Sequence, residues 1–185
     1  MILASASPRR VQLLALLGIT PEKIVPADID ESELPGERVT EYVERIASSK
    51  AKKIARAHPG MLVLAADTAV ALGRRILPKT ETEKEARECL RLMSGRRHRV
   101  LTSVCVIDGT GKLRQKTVTT LVRFSTLTPR MIDAYIASGE WKGKAGGYAI
   151  QGLAASFIPF ISGSHSNVVG LPLHETALLL GSLGK

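Results

Sequence analysis

Six consecutive apolar residues, Met61-Leu62-Val63-Leu64-Ala65-Ala66, run without a break into Asp67-Thr68. Neither a period of 2 nor one of 3.6 leaves this stretch a polar face, so it reads as a strand buried on both sides of a sheet. A strand of that kind needs cover above and below, which excludes an open all-β surface sheet and calls for helices on both faces. A carboxylate at the end of such a strand is either a capping residue or a functional group held on a rigid support. The second reading is the stronger for Asp67.

The flanking sequence supplies the cover. Ile2-Leu3-Ala4 reads as a short strand, followed by a helix with Ser7 as N-cap, Pro8 at its first position and Gly18 as its stop. Ile24-Val25 suggests a second short strand, and Asp28 through Glu33 an acidic loop ending at Pro35-Gly36. From about Val39 the residues Val43, Ile46, Ala47, Ala51, Ile54 and Ala55 recur at helical spacing until Pro59-Gly60.

Beyond the buried run, Thr80-x-x-Glu83 reads as a capping box opening a helix that carries Ala86, Cys89, Leu90 and Met93 and closes at Ser94-Gly95. Val100 to Ile107 and Leu113 to Phe124 form a hairpin across Asp108-Gly109-Thr110-Gly111. Thr128-Pro129 caps a helix that ends before Gly139. Glycines then punctuate two short apolar runs, Tyr148 to Ile150 and Phe157 to Ile161, ahead of a last helix from Pro172 through Leu183. Strands and helices interleave without regular alternation, so a mixed sheet flanked by helices is predicted rather than a doubly wound parallel one. At 185 residues, a single globular domain over 1–185 is expected.

Charge narrows the partner. Lys and Arg number 26 against 17 Asp and Glu, for a net charge of +9, which points to an anionic partner. Aromatic residues are only 4%, too few for a platform on which single-stranded nucleic acid would stack, so nucleic acid is not the expected ligand. Lys50-Ala51-Lys52-Lys53 reads as a solvated helix face, while Arg96, Arg97 and Arg99 are open between solvent and a contact. Cys89 and Cys105 lack disulfide or metal spacing and read as buried thiols, and the four histidines share no ligand spacing. With no apolar run of membrane-span length and no signal-peptide core after Met1-Ile2-Leu3, a cytoplasmic protein without membrane contact is expected.

The candidate chemistry begins at Ser5-Ala6-Ser7-Pro8-Arg9-Arg10. A strand feeding a helix N-terminus aims unpaired N–H groups at one spot and favours anions there, yet two arginines sit at this end, where the dipole disfavours cations. Either they project into solvent or they clamp an anion between them. Lys79 and Lys144 are isolated cations in proline- or glycine-marked loops. Neither the phosphate loop G-x-x-x-x-G-K-[ST] nor a G-x-G-x-x-G after a strand is present.

Taken together, LASASPRR, AADTAV, KAGGYAIQG and NVVGLPLHET, in this order across almost the whole chain, resemble the Maf family of nucleotide pyrophosphatases. The resemblance implies an elongated, twisted mixed sheet of the kind found in inosine-triphosphate pyrophosphatases, with a nucleotide cleft between two lobes. It implies hydrolysis of nucleoside triphosphates to monophosphate and pyrophosphate with Mg²⁺ or Mn²⁺, and a homodimer as the family's common habit. Carried over residue by residue, it makes Asp67 the base that activates water, with Glu31 helping to hold metal. Ser5, Arg9, Arg10 and Lys79 then bind phosphates, with Thr68 beside Asp67 and Lys144 and Gln151 completing the substrate contacts. YAIQG resembles the branch acting on dTTP and UTP, where an amide suits the donor and acceptors of thymine or uracil. The competing function is a nucleotide- or nucleic-acid-binding regulator of cell division with little catalysis. Against the family's usual pattern, Thr80 stands after Lys79 where proline is common, and Trp141 and Gly143 replace a proline and an aspartate.

Overall fold

The buried strand forms, and it runs farther than its apolar run alone predicts. The computed structural model describes residues 1–182, with elements in the order β1 (Ile2–Leu3), α1 (Pro8–Ala15), β2 (Lys23–Ile24), α2 (Val39–Ala57), β3 (Val63–Leu72), β4 (Arg75–Leu77), β5 (Lys79–Thr80), α3 (Glu83–Met93), β6 (Arg97–Ile107), β7 (Leu113–Arg123), α4 (Pro129–Ser138), β8 (Lys144–Ala145), β9 (Phe160–Ser162), α5 (His165–Val169) and α6 (Leu173–Gly181). Leu183, the expected end of the last helix, lies outside the described residues. The sheet is mixed, in the order β2-β1-β3-β6-β7-β9 with β4 on β3. β1 is parallel to β2 and β3, whereas β4 is antiparallel to β3 and β9 to β7.

Asp67 therefore does not end its strand, as expected, but sits within β3, because Thr68-Ala69-Val70-Ala71-Leu72 continues the extended, mostly buried pattern. A second correction concerns α3. Its capping box is Thr82 and Glu85: the Thr82 hydroxyl accepts from the Glu85 N–H at 3.3 Å and the Glu85 carboxylate accepts from the Thr82 N–H at 3.0 Å. Thr80 is unavailable for capping because it pairs with Lys144 in the β5–β8 ribbon and its hydroxyl donates to Trp141 O at 2.8 Å. At α1, Ser7 is the N-cap and Pro8 the first residue, yet the Ser7 side chain makes no capping bond. Instead its N–H donates to Ser5 Oγ at 3.2 Å.

The chain divides into two compact units. One comprises Met1–Asp67, Thr102–Val118 and the chain from Gly170. Its core sets Ala47, Ala51 and Ile54 of α2 against Ile2, Val63, Ala65, Cys105 and Ile107 of the sheet, as the helical spacing predicts.

The other unit, Thr68–Leu101 with Thr119–Val169, is built around aromatic rings. Phe124 meets His98 and Tyr148 edge-on at 5.0 Å, and Phe157 packs on Phe124 and Tyr135 at 6.0 and 5.5 Å. Such edge-to-face pairs contribute beyond their area. The close approach of the chain to this core explains Gly146-Gly147: both have positive φ, and a Cβ would lie 3.0 Å from Val70 at the first and 3.1 Å from Thr80 at the second. Burial pushes the thiols of Cys89 and Cys105 up to about 11 and about 12, so both behave as apolar packing groups.

His98 is buried, with Nε2 against Tyr148 Oη at 2.8 Å, and burial lowers its pKa to about 4. A histidine held neutral in the fold contributes stability that is complete above its unfolded value of about 6.5 and is lost as the pH falls toward about 4. Urea unfolding at pH 5 is therefore expected to show about 2 kcal/mol less stability from this residue than at pH 7.5. His98→Gln should flatten that slope. An unchanged slope in the variant would show that His98 is not its source.

Candidate active site

Four charged side chains gather in the first unit. Lys50, from the middle of α2, is 7% exposed, and its Nζ lies 2.7 Å from Asp67 Oδ1 and 2.8 Å from Glu31 Oε1. Asp67 is 2% exposed, whereas the Glu31 side chain keeps 30% of its surface. Arg10 is buried in the first turns of α1, where Nε donates to Gly170 O at 2.9 Å and Nη1 to Ser5 Oγ at 2.8 Å. Burial lowers the Arg10 pKa, Asp67 raises it, Arg9 lowers it and Glu31 raises it, in that order of size. Arg10 and Lys50 thus share a neighbourhood with both carboxylates, and opposite charges lie together there, as buried charges require.

Four of the expected residues, Ser5, Arg10, Asp67 and Glu31, are therefore brought together in one neighbourhood, and Arg9 lies beside Arg10, half-buried. Arg10 is anchored on the scaffold through Ser5 and Gly170, and the charges of Asp67 and Glu31 act on its guanidinium. Thr68 follows Asp67 on β3 and is half-buried.

The remaining expected residues belong to the other unit. Lys79 and Lys144 lie on β5 and β8, in the registers Lys79↔Ala145 and Thr80↔Lys144. Lys144 Nζ donates to Lys142 O at 2.9 Å, and Gly143 N and Gly146 N donate to Thr80 O and Pro78 O, both at 2.9 Å. Two departures from the family pattern meet here, since the Thr80 hydroxyl bonds the Trp141 carbonyl, a bond that proline at 80 could not donate. Trp141 is itself buried, with Nε1 donating to Ile136 O at 2.9 Å. Gln151 is exposed, directly after the buried Tyr148-Ala149-Ile150.

A profile of the Maf family, described as Maf-like protein, matches residues 1–183. The chain belongs to the Maf family. A dTTP/UTP pyrophosphatase of Chelativorans sp. (strain BNC1) is 57% identical over 190 residues, spanning 100% of this chain and 91% of that protein. A dTTP/UTP pyrophosphatase of Zymomonas mobilis subsp. mobilis is 57% identical over 184 residues with the same coverage. Among solved structures, the Staphylococcus aureus Ham1 protein superposes with a TM-score of 0.56 at 12% identity and a HAM1 protein from Coxiella burnetii with 0.53 at 17%, each over 98% of both chains. At those identities the likeness shows the fold, and it agrees with the mixed, helix-flanked sheet of the Maf chain.

Lys50 corrects the expectation of a solvated face. Lys52 and Lys53 are exposed as expected, but Lys50 shares the buried face of α2 with Val43, Ile46, Ala47, Ala51 and Ile54. The signal was in the sequence: a lone lysine three residues after one apolar-face position and four before another needs a buried partner. Arg97 stays exposed, with its guanidinium 5.8 Å from the Phe160 ring centroid, whereas Arg99 is half-buried and donates to Gly73 O at 2.7 Å. No described helix is long and apolar enough to cross a membrane.

Proposed function

We propose that this Maf protein hydrolyses nucleoside triphosphates, dTTP and UTP foremost, to the monophosphate and pyrophosphate. Water adds across the α–β anhydride, and the proton it loses is taken by Asp67. The observation that carries this reading is the convergence of Asp67 and Glu31 on one cationic point, alongside relatives named dTTP/UTP pyrophosphatase at 57% identity. A regulator that only binds nucleotide has no need of a buried carboxylate meeting a second, half-buried one in this way.

The donor set fits a hard divalent cation. Oxygens of two carboxylates already meet a positive charge at 2.7 and 2.8 Å, and no cluster of three or more acidic, histidine or cysteine ligands occurs among the described residues. Mg²⁺ and Mn²⁺ suit such a sparse site, because Mg²⁺ keeps several waters and takes substrate phosphates as further ligands. Asp67 and Glu31 are the residues that would hold the ion, which when bound neutralises charge on phosphoryl oxygens.

The chain's own groups supply the rest. Ser5, Arg9 and Arg10 frame the strand-to-helix turn that receives phosphate, with Arg10 setting the position of the Ser5 hydroxyl. Lys79, Lys144 and Thr68 contact the substrate as cations and a hydroxyl, and Gln151 reads the base. Catalysis then rests on positioned donors meeting developing negative charge and on one fixed base.

The test is a panel of triphosphates incubated with Mg²⁺ and either wild type or Gln151→Glu, with products separated by chromatography. Wild type is expected to release pyrophosphate from dTTP and UTP ahead of GTP, and Gln151→Glu to lower the dTTP/GTP rate ratio. Orthophosphate as the first product, or no pyrophosphate from any nucleotide, would overturn the assignment. An unchanged ratio would remove Gln151 as the reader.

A further inference from the structure

The acidic loop that carries Glu31 has neither helix nor strand between Asp28 and Gly36, yet Glu31 is aimed at the Asp67–Lys50 pair. Its hold comes from the side of α2. Tyr42 Oη donates to Glu31 O at 3.0 Å, and Arg45 Nη2 donates to the next carbonyl, Ser32 O, at 2.9 Å. Arg45 also grips Glu37 through Nε and Nη2 at 2.6 and 2.7 Å, and its guanidinium lies 5.7 Å from the Tyr42 ring centroid. Lys53 Nζ reaches Asp28 O at the loop's start. The two peptides that follow Glu31 are thus each fastened by a side chain of α2, while the Glu31 carboxylate goes to Lys50.

We propose that Tyr42, backed by Arg45, is the positioning residue that holds Glu31 at the site, so that α2 presets the second carboxylate before any ligand arrives. The proposal rests on the reading of Glu31 as a metal-holding group. Two features favour it over a generic packing role. The Tyr42 bond goes to the backbone of Glu31 itself, so it sets where the side chain starts. Arg45 is not left to flex, since Glu37 and the Tyr42 ring both hold its fork.

Preorganising a ligand-bearing loop lowers the ordering cost of binding, and outer-shell partners of metal ligands typically change metal affinity or activity 10- to 100-fold when removed. The test is Tyr42→Phe, which keeps the ring and removes only the hydroxyl. Amide hydrogen exchange over residues 29–33 of the full chain, measured without nucleotide or metal, is expected to speed up by about tenfold, with the core amides of β3 unchanged. Calorimetric titration with Mn²⁺ alone is expected to show affinity lowered by about tenfold. In turnover, the loss should appear as a higher Mn²⁺ requirement, restored at saturating Mn²⁺, with the KM for dTTP unchanged. Arg45→Lys, which keeps the charge and loses the fork, should shift exchange and Mn²⁺ affinity in the same direction.

Wild-type exchange rates and wild-type Mn²⁺ affinity in Tyr42→Phe would overturn the proposal. So would a KM increase without a change in Mn²⁺ dependence. Wild-type protein that releases no pyrophosphate from any nucleotide would overturn the pyrophosphatase reading instead, and the exchange measurement would still decide whether Tyr42 holds the loop.

Discussion

Asp67→Asn lowers the rate of pyrophosphate release from dTTP by about a thousandfold, within the 10²- to 10⁴-fold that a positioned general base contributes. Asparagine keeps the size of the side chain and an oxygen for Lys50, but it cannot take a proton from water and binds a divalent cation poorly. The carboxylate sits inside β3, fixed by its strand and by an ammonium 2.7 Å away. The loss should fall on kcat, measured by single-turnover pyrophosphate release, with the unfolding transition still cooperative. Activity within tenfold of wild type would mean that another group takes the proton.

Lys50→Met carries the largest expected effect on stability, a loss of about 3–5 kcal/mol at pH 7. Methionine fills the space of the lysine stem against the α2 core, so packing is nearly conserved and the charge is what changes. Removing the ammonium leaves Asp67, 2% exposed, and the partly buried Glu31 with no cation at their meeting point. Breaking one side of a buried pair is costly because the buried Asp67 carboxylate loses its nearest counter-charge without regaining water. The double variant Lys50→Met/Asp67→Asn should therefore be more stable than the sum of the single losses predicts, with a coupling of about 2 kcal/mol. Urea unfolding of the four proteins checks this, and strict additivity would show that the two residues do not share the interaction. Lys50→Met alone should also lose pyrophosphate release, since Asp67 loses the contact that orients it.

Much of the fold was readable because its signals are local. Pro8 and Gly18 bracket the first helix, Gly139 closes the fourth with φ of +71°, and the apolar spacing of Val43 to Ile54 predicts the face that α2 buries. The misreadings have equally specific causes. Thr80-x-x-Glu83 and Thr82-x-x-Glu85 are two overlapping copies of one local pattern, and only the distant carbonyl of Trp141, which takes the Thr80 hydroxyl, decides that the second forms the cap. Lys50 reads as solvated only in the company of the exposed Lys52 and Lys53, and its place on the apolar face of α2 sets it apart. Tyr42 and Arg45 carried no signal at all, since a tyrosine and an arginine on a helix are ordinary residues until the chain brings a loop carbonyl to each.

By itself the sequence determined the order and kind of the main elements, the central strand buried on both faces, and membership of the Maf family through four separated motifs. These depend on periodicity, turn chemistry and residue identity, all of which are written along the chain. The tertiary structure alone decided which charges meet. Lys50 and Asp67 lie seventeen residues apart in different elements, and Glu31 stands in a loop whose course no propensity specifies. Their encounter depends on α2 packing against the sheet with one face and holding the loop with another, and a contact made by two packed surfaces has no period in the sequence from which to read it.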